Sequence, residues 1–166
     1  MHGKFPKSII ISQFNFTKNN KQYVAFKNCK LKKAESGIRY ITFKIQAKND
    51  ACISLFAEDL RPYVGGNVLV QGKNYYEIVV GGWKNSKSVL RKDGKQVAEC
   101  KSKGELNLKN CRTFTIAVKK NGTISLHRGK SFKKDCMLEY LDDEEPINPT
   151  HFAVMTGWGS DGYWKW

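Results

Sequence analysis

Apolar and polar residues alternate along most of the chain with a period of two. In residues 42–47, for example, Phe43, Ile45 and Ala47 are separated by polar residues. Alternation of this kind is typical of strands with one buried face and one face in water. No segment of helical length carries a comparable apolar stripe. The pattern therefore predicts an all-β chain with little or no helix.

Short turn sequences separate the alternating segments. Asn49-Asp50, Asn85-Ser86, Asp93-Gly94 and Asn121-Gly122 each lie between two of them, as hairpin turns do. We therefore expect a single domain over residues 1–166, folded as an antiparallel, jelly-roll-like β-sandwich. Residues 57–74 should form an irregular connection. The expected strands are 22–27, 41–47, 51–57, 75–82, 87–92, 95–100, 112–119, 123–128, 136–141, 151–156 and 162–166.

The alternating directions of these strands bring three loops to one end of the sandwich. The loops contain residues 49–50, 81–86 and 157–162, and they are rich in Asp, Asn, Ser and Trp. The same count of directions places Cys100 and Cys111 close together at that end, which predicts a disulfide between them. Five cysteines leave an odd thiol, and Cys52 is a candidate, either free or facing a partner.

The charge of the chain favours negatively charged partners. It has 29 Lys and Arg against 15 Asp and Glu, a formal net charge of +14. Such a surface attracts anionic glycans and nucleic acid, although it is also what a solubilising surface looks like. Arg, which reads bases and phosphates, is scarce beside Lys, so we expect no sequence-specific nucleic-acid binding. No apolar run approaches the roughly 18 residues of a membrane span, and we expect no membrane insertion.

Two segments carry a family resemblance. Residues 76–91 read YEIVVGGWKNSKSVLR, residues 156–164 read TGWGSDGYW, and KNDA precedes them at 48–51. From about Tyr40 to Trp166 the chain resembles the farnesoic acid O-methyltransferase-like domain family of invertebrates. It departs from that family at Lys84, where the family tends to have Gly, and at Asp161. In size and in these motifs it also resembles galactose-binding lectins of sea anemones, which implies a calcium-assisted sugar site and an extracellular location.

The name of the family implies a methyltransferase, and the sequence does not support that activity. Gly157–Gly162 matches G-x-G-x-x-G after a strand, but only four residues follow it. A cofactor-binding turn of this type needs a helix after it. The three histidines and the serines show no pattern typical of acid–base or nucleophilic catalysis. We therefore expect a binding protein and no enzyme. No leader sequence is evident, so the chain is either cytosolic or numbered from a processed, secreted form, and the lectin resemblance favours secretion.

The converging loops offer the groups that a galactose site needs. Aromatic rings cover the apolar face of a sugar, and amides, hydroxyls and carboxylates bind its hydroxyl groups. Calcium takes oxygen ligands and can accept two sugar hydroxyls in place of water. We assign calcium binding to Asn49, Asp50 and Asp161. The predicted sugar-binding residues are Trp83, Asn85, Trp158, Ser160 and Asp161.

Each assignment has a structural alternative. The Asn, Asp and Ser residues are common in turns, and the two Trp could close the end of the sandwich. Glu77, in the middle of a strand, could pair with Arg91 across a hairpin or belong to the site. The rival function is a non-catalytic adhesion or assembly domain that binds anionic glycans or proteins through its basic surface. A lectin with one site gains avidity by assembling, so we also expect a homodimer.

Overall fold

The computed structural model describes residues 15–18, 22–68 and 74–166. These residues form two sheets of antiparallel strands that pack face to face, so the predicted β-sandwich is confirmed. Their helical segments are a 3₁₀ turn, Arg61–Tyr63, and a four-residue turn, Gly82–Asn85. Neither is long or apolar enough to cross a lipid bilayer. The strands are β1 (Asn15–Thr17), β2 (Tyr23–Val24), β3 (Lys32–Lys33), β4 (Arg39–Ala47), β5 (Ala51–Phe56), β6 (Asn67–Val68), β7 (Tyr75–Gly81), β8 (Lys87–Lys92), β9 (Lys95–Lys101), β10 (Arg112–Val118), β11 (Thr123–Arg128), β12 (Cys136–Leu141), β13 (His151–Thr156) and β14 (Gly162–Lys165).

The first sheet, sheet A, has the strand order β1-β14-β4-β10-β11-β12. β3 also belongs to it, because β3 pairs with Arg39 and Tyr40 at the start of β4 while β14 pairs with residues 44–47. The second sheet, sheet B, has the order β6-β2-β13-β5-β7-β8-β9. β5 therefore lies in the interior of sheet B, between β13 and β7, and this position decides where the candidate site forms.

The main core fills the space between the two sheets. Alternate residues of the long strands point into it, including Phe43 and Ile45 from sheet A and Ile53 and Leu55 from sheet B. The indole of Trp164 is fully buried there, with its ring centroid 5.5 Å from that of Phe43. Burial of these side chains is the principal stabilisation of the sandwich, at about 25 cal/mol per Å² of apolar surface.

A second apolar cluster covers the outer face of sheet B. Cys52 and Phe56 from β5 pack there with Tyr23, Leu60 and Val79. Every residue of β5 is therefore buried, and the expectation that this strand has one face in water is wrong. The reason is its central position, because the segments around Tyr23 and Leu60 cover the face that would otherwise be solvated.

The predicted disulfide is not formed, and all five cysteines are free thiols. Cys100 lies on β9 of sheet B, opposite Ser88. Cys111 precedes β10 of sheet A, where it is exposed and its Sγ lies 3.7 Å from Gln46 Oε1. The chain crosses from one sheet to the other between the two residues, which the count of strand directions did not capture. Cys52, the candidate for an unpaired thiol, is buried and is free like the other four.

Candidate functional site

Asp50 joins the three loops that the sequence places at one end of the sandwich. Its backbone N–H donates to the carbonyl of Gly81 (2.9 Å), and its own carbonyl accepts from the N–H of Gly157 (3.1 Å). This follows from the sheet register, since Ala51 lies opposite Val80 on β7 and opposite Thr156 on β13. The residues beyond these pairs must meet at one edge of sheet B, and the predicted convergence of the loops is confirmed.

A cavity of about 480 Å³ opens beneath these loops, on the outer face of sheet B. Its floor comes from outward-facing residues of four adjacent strands, β13, β5, β7 and β8, and its rim comes from the three loops. Cavities of this size are usual for small ligands. The lining residues are Asn49, Asp50, Cys52, Glu77, Val79, Trp83, Lys84, Arg91, Met155 and Trp158.

Two tryptophans stand on the rim with their rings open to solvent. Trp158 is 72% exposed and Trp83 is 45% exposed. The Nζ of Lys87 lies 4.1 Å from the centroid of the Trp83 ring, and Arg91 lies farther over the same ring, which restricts its orientation. Neither indole is buried as a plug of the sandwich would be, so the plug interpretation does not describe them.

The backbone of the rim adopts the left-handed region, which L-residues other than Asn, Asp and Gly rarely enter. Its φ angles are 49° at Trp83, 59° at Lys84 and 51° at Trp158. All other non-glycine residues with positive φ in the described part of the chain are Asn or Asp. Unfavourable conformations of this kind cost about 1–3 kcal/mol each and cluster at binding sites. Their concentration around one cavity makes that cavity the candidate site.

Asn49 and Asp50 bring unpaired oxygen atoms to the cavity. The Oδ1 atom of Asn49 is buried and has no hydrogen-bond partner among the described residues. Asp50 is buried, with only 4% of its surface exposed to solvent. Burial raises its pKa to about 6, and the nearby Arg91 charge lowers it only in part. A buried acceptor without a donor costs about 1–3 kcal/mol, so Asn49 Oδ1 favours a ligand that supplies a hydroxyl donor. The raised pKa of Asp50 shows that its charge is poorly compensated, which favours a ligand with hydroxyl donors or positive charge.

The floor of the cavity is electrically balanced. Arg91 Nη1 donates to Glu77 Oε1 at 2.7 Å, and the hydroxyl of Tyr23 donates to the other oxygen of Glu77. The ion pair considered from the sequence is therefore present, and it is also part of the cavity wall. Beside it, burial raises the pKa of the Cys52 thiol, and the Glu77 and Asp50 carboxylates raise it further. Cys52 is thus a neutral thiol at physiological pH.

Three residues assigned to the site from the sequence do not line the cavity. The Asn85 amide donates to the carbonyl of Leu106 (2.8 Å) and accepts from its N–H (3.0 Å). The Ser160 hydroxyl is buried and accepts from the N–H groups of Lys48 and Asn49. Both residues hold loops in place. Asp161 is exposed outside the cavity, so it does not join Asp50 as a second carboxylate there.

The residues that sequence analysis missed are the ones on the strands. Cys52, Val79 and Met155 follow the ordinary alternation, and nothing in that pattern separates a covered outer face from an open one. Glu77 and Arg91 did carry a signal, because opposite charges in the middle of adjacent strands need a polar environment. The described residues contain no group of three or more His, Cys, Asp or Glu side chains that could hold a metal ion.

The family of the chain is shown by sequence comparison. The profile of the family described as farnesoic acid O-methyl transferase matches residues 17–166. The chain belongs to this family. A search of curated protein sequences finds no match. The family resemblance noted from residues 76–91 and 156–164 is therefore confirmed, and those segments supply the two tryptophans of the rim.

Solved structures of other proteins share the fold in outline. One is the carbohydrate-binding module CBM66 from Bacillus subtilis, at 9% identity and a TM-score of 0.46, with 92% of each chain covered. Another is the PSpry domain of TRIM65, at 9% identity and a TM-score of 0.45, with 90% of this chain and 87% of the other covered. At this similarity neither structure informs the site.

Proposed function

We propose that the chain is a non-catalytic carbohydrate-binding domain whose cavity holds a terminal galactose with the help of calcium. The observation that carries the proposal is the pairing of unsatisfied oxygens with exposed aromatic rings. Asn49 Oδ1 and the Asp50 carboxylate lack donors, while Trp83 and Trp158 expose their indoles beside them. A sugar is the common ligand that offers hydroxyl donors on one side and an apolar C–H face on the other.

The two parts of the site have separate tasks. The indoles cover the apolar face of the sugar ring and contribute most of the affinity, as buried aromatic contacts do. The amide and carboxylate accept hydrogen bonds from vicinal hydroxyl groups and select the sugar, because they remain unpaired when a hydroxyl is absent. Galactose has an axial hydroxyl, next to an equatorial one, that points away from its apolar C–H face. One ring can therefore contact the indoles through its apolar face and the amide and carboxylate through its hydroxyl groups.

The residues that would hold calcium in the cavity are Asn49 and Asp50. The ion takes about 6–8 oxygen ligands, so Asn49 Oδ1 and the Asp50 carboxylate would hold it together with water and the sugar hydroxyls. When bound, calcium would neutralise Asp50 and polarise the sugar hydroxyls. Because the cavity contributes few charged ligands, we expect weak affinity, in the range of about 10⁻⁴–10⁻³ M that extracellular calcium modules show. Such affinity requires an extracellular setting, where calcium is abundant, and we therefore propose secretion.

The loop that matches a nucleotide-binding motif supports a non-catalytic role. Gly157–Gly162 leads into strand β14, which pairs with β4 and β1. A phosphate-binding turn of this type presents the N-terminus of a helix to its cofactor, and here the loop presents the Trp158 ring instead. The match to G-x-G-x-x-G thus lies in the loop that crosses from β13 of sheet B to β14 of sheet A.

The proposal is tested by calorimetric titration with methyl β-galactoside, in calcium and in excess chelator. We expect binding in calcium, loss of binding with chelator, and recovery when calcium is restored. Methyl β-glucoside, which differs only in the orientation of one hydroxyl, should bind at least tenfold more weakly, a difference of about 1.4 kcal/mol. Unchanged galactoside affinity in chelator would reject calcium but retain the sugar site. No binding of either sugar in any condition would reject the proposal.

Two Asp→Asn variants provide a matched control. Asp50→Asn removes the charge inside the cavity, and Asp161→Asn removes the same charge from an exposed carboxylate outside it. We expect only Asp50→Asn to abolish calcium-dependent binding. If Asp161→Asn abolished it instead, the site would lie on the loop of residues 157–162 and not in the cavity.

We also propose a homodimer, because one cavity per chain gives no multivalency and pairing two of them increases avidity toward a surface. Light scattering at physiological salt should give twice the mass of the chain. The mass of a single chain, with no agglutination of galactose-bearing cells, would contradict this proposal.

A further inference from the structure

A second cavity, of about 340 Å³, lies at the opposite end of the sandwich. It forms where β3 and β10 end and where β4 begins, whereas the cavity of Trp83 and Trp158 lies beyond the end of β4. The length of β4, at about 3.4 Å per residue, separates the two ends by roughly 25 Å. The lining residues of this basic cavity are Lys33, Gly37, Arg39, Val118, Lys119, Lys120, Asn148 and Pro149.

Four cationic residues line the basic cavity, and none of them is in an ion pair among the described residues. They are Lys33, Arg39, Lys119 and Lys120, and no carboxylate within the described ranges forms an ion pair with any of them. The remaining residues, 1–14, 19–21 and 69–73, contain no Asp or Glu at all. The four positive charges are therefore not neutralised by a direct ion pair, and they repel one another.

The backbone holds these charges in one place. Lys33 and Arg39 are paired across β3 and β4, and Arg39 is opposite Val118 on β10. The guanidinium of Arg39 donates to the carbonyl of Pro149 at 3.2 Å, which fixes its direction. Gly37, with φ of 85°, has no side chain, and a Cβ there would overlap the side chain of Lys120. The fold thus preorganises the site, which lowers the entropy lost when a ligand binds.

We propose that the basic cavity is a second binding site, which takes the sulfate ester groups of an anionic glycan. The chemistry it recognises is a tetrahedral oxyanion, which Arg contacts through two N–H groups and Lys through its ammonium. No aromatic ring lines the cavity, whereas proteins that bind single-stranded nucleic acid stack bases on aromatic side chains. This difference favours a sulfated glycan over a nucleic acid. The protein would then bind a neutral sugar at one end and a sulfated chain at the other.

The test is a titration with a heparin-derived tetrasaccharide at two salt concentrations. The site variant is Lys119→Ala with Lys120→Ala, and the control is Lys133→Ala with Lys134→Ala, another exposed adjacent pair with the same loss of charge. We expect the site variant to lose about tenfold in affinity, or about 1.4 kcal/mol, and the control to lose less than threefold. The site variant should also show a smaller dependence of affinity on salt, because fewer counterions are released.

Three outcomes would overturn the inference. Equal losses in the two double variants would show that binding depends on overall charge alone. Tighter binding of inorganic phosphate or of a short single-stranded oligonucleotide than of the tetrasaccharide would assign the oxyanion to another source. Full retention of affinity in Arg39→Gln, a variant that keeps a donor for Pro149, would remove the site from this cavity. Asp50→Asn should leave tetrasaccharide affinity unchanged, which keeps this test separate from that of the galactose site.

Discussion

The protein buries two carboxylates in sheet B or against it, and their environments are opposite. Asp142 is 2% exposed and accepts from Tyr76 (2.5 Å) and from Lys92 (2.6 Å). Asp50 is 4% exposed and has neither a donor nor an ion pair among the described residues. Burial acts to raise the pKa of both, but the bonds and charge of Lys92 and Tyr76 bring that of Asp142 below its ordinary value. Only Asp50 is left with a raised pKa, near 6.

The contrast distinguishes a structural group from a binding group. Asp142 anchors the loop that follows β12, since the Tyr76 hydroxyl that donates to it also accepts from the N–H of Ile147. Its bonding is complete, so a ligand would gain nothing there. Asp50 costs the folded state free energy unless something binds it. A buried polar group that the fold leaves unpaired is therefore better evidence of a site than a cluster of acidic residues in the sequence.

The largest effect should follow from removing the charge of Asp142, the carboxylate that has hydrogen-bond and ion-pair partners. Asp142→Asn leaves the Lys92 ammonium without its anionic partner, although the carbonyl of Glu145 still accepts from it. We expect a loss of about 3 kcal/mol in the free energy of unfolding. Chemical denaturation at pH 7 measures it. The neighbouring, exposed Asp143 is the control, since Asp143→Asn should change stability by less than about 0.5 kcal/mol. An Asp142→Asn variant with unchanged stability would show that the fold does not depend on the charge of this side chain.

Asp50→Asn should act in the opposite direction. The folded-state pKa of about 6 exceeds the ordinary value of 3.8, so the folded protein loses stability as pH rises between these values. Removing the charge should therefore stabilise the protein at pH 7 by up to about 3 kcal/mol, and Asn tolerates the φ of 49° at this position. Denaturation at pH 7 and at pH 3.5 measures the difference, which should disappear at the lower pH. A destabilised variant at pH 7 would mean that the Asp50 charge is already satisfied.

The same contrast shows why the fold was easier to predict than the site. Alternation located the long strands within a few residues, but β1, β3 and β6 have only two or three residues each, too few to show a period. Asn49 and Asn85 look alike in sequence, as both lie in turns between strands. Whether an amide faces a ligand or bonds to a backbone such as that of Leu106 depends on tertiary packing, which no local pattern encodes.

A smaller effect is expected at the rim, where it should appear in binding and not in stability. Trp158→Ala removes an exposed ring from the cavity, and we expect galactoside affinity to fall by about 1–2 kcal/mol with little change in the unfolding free energy. Calorimetry on the variant measures the affinity. Tyr163→Ala, which removes an exposed ring outside the cavity, is the matched control. Equal losses of affinity in both variants would assign the contact to the outer surface of sheet A.

The smallest effect tests whether the rim stores backbone strain. Lys84 has a φ of 59°, where glycine alone pays no steric cost. Lys84→Gly should therefore raise the free energy of unfolding by about 0.5–1 kcal/mol, the steric gain exceeding the entropy of the more flexible unfolded chain. Lys103 is also exposed but has no positive φ. Lys103→Gly should therefore lower the free energy of unfolding by a few tenths of a kcal/mol, because glycine makes the unfolded chain more flexible. Equal changes in the two variants, measured by denaturation, would mean that the left-handed conformation at Lys84 costs nothing. The rim would then differ from the rest of the molecule only in its exposed rings and its unpaired oxygens.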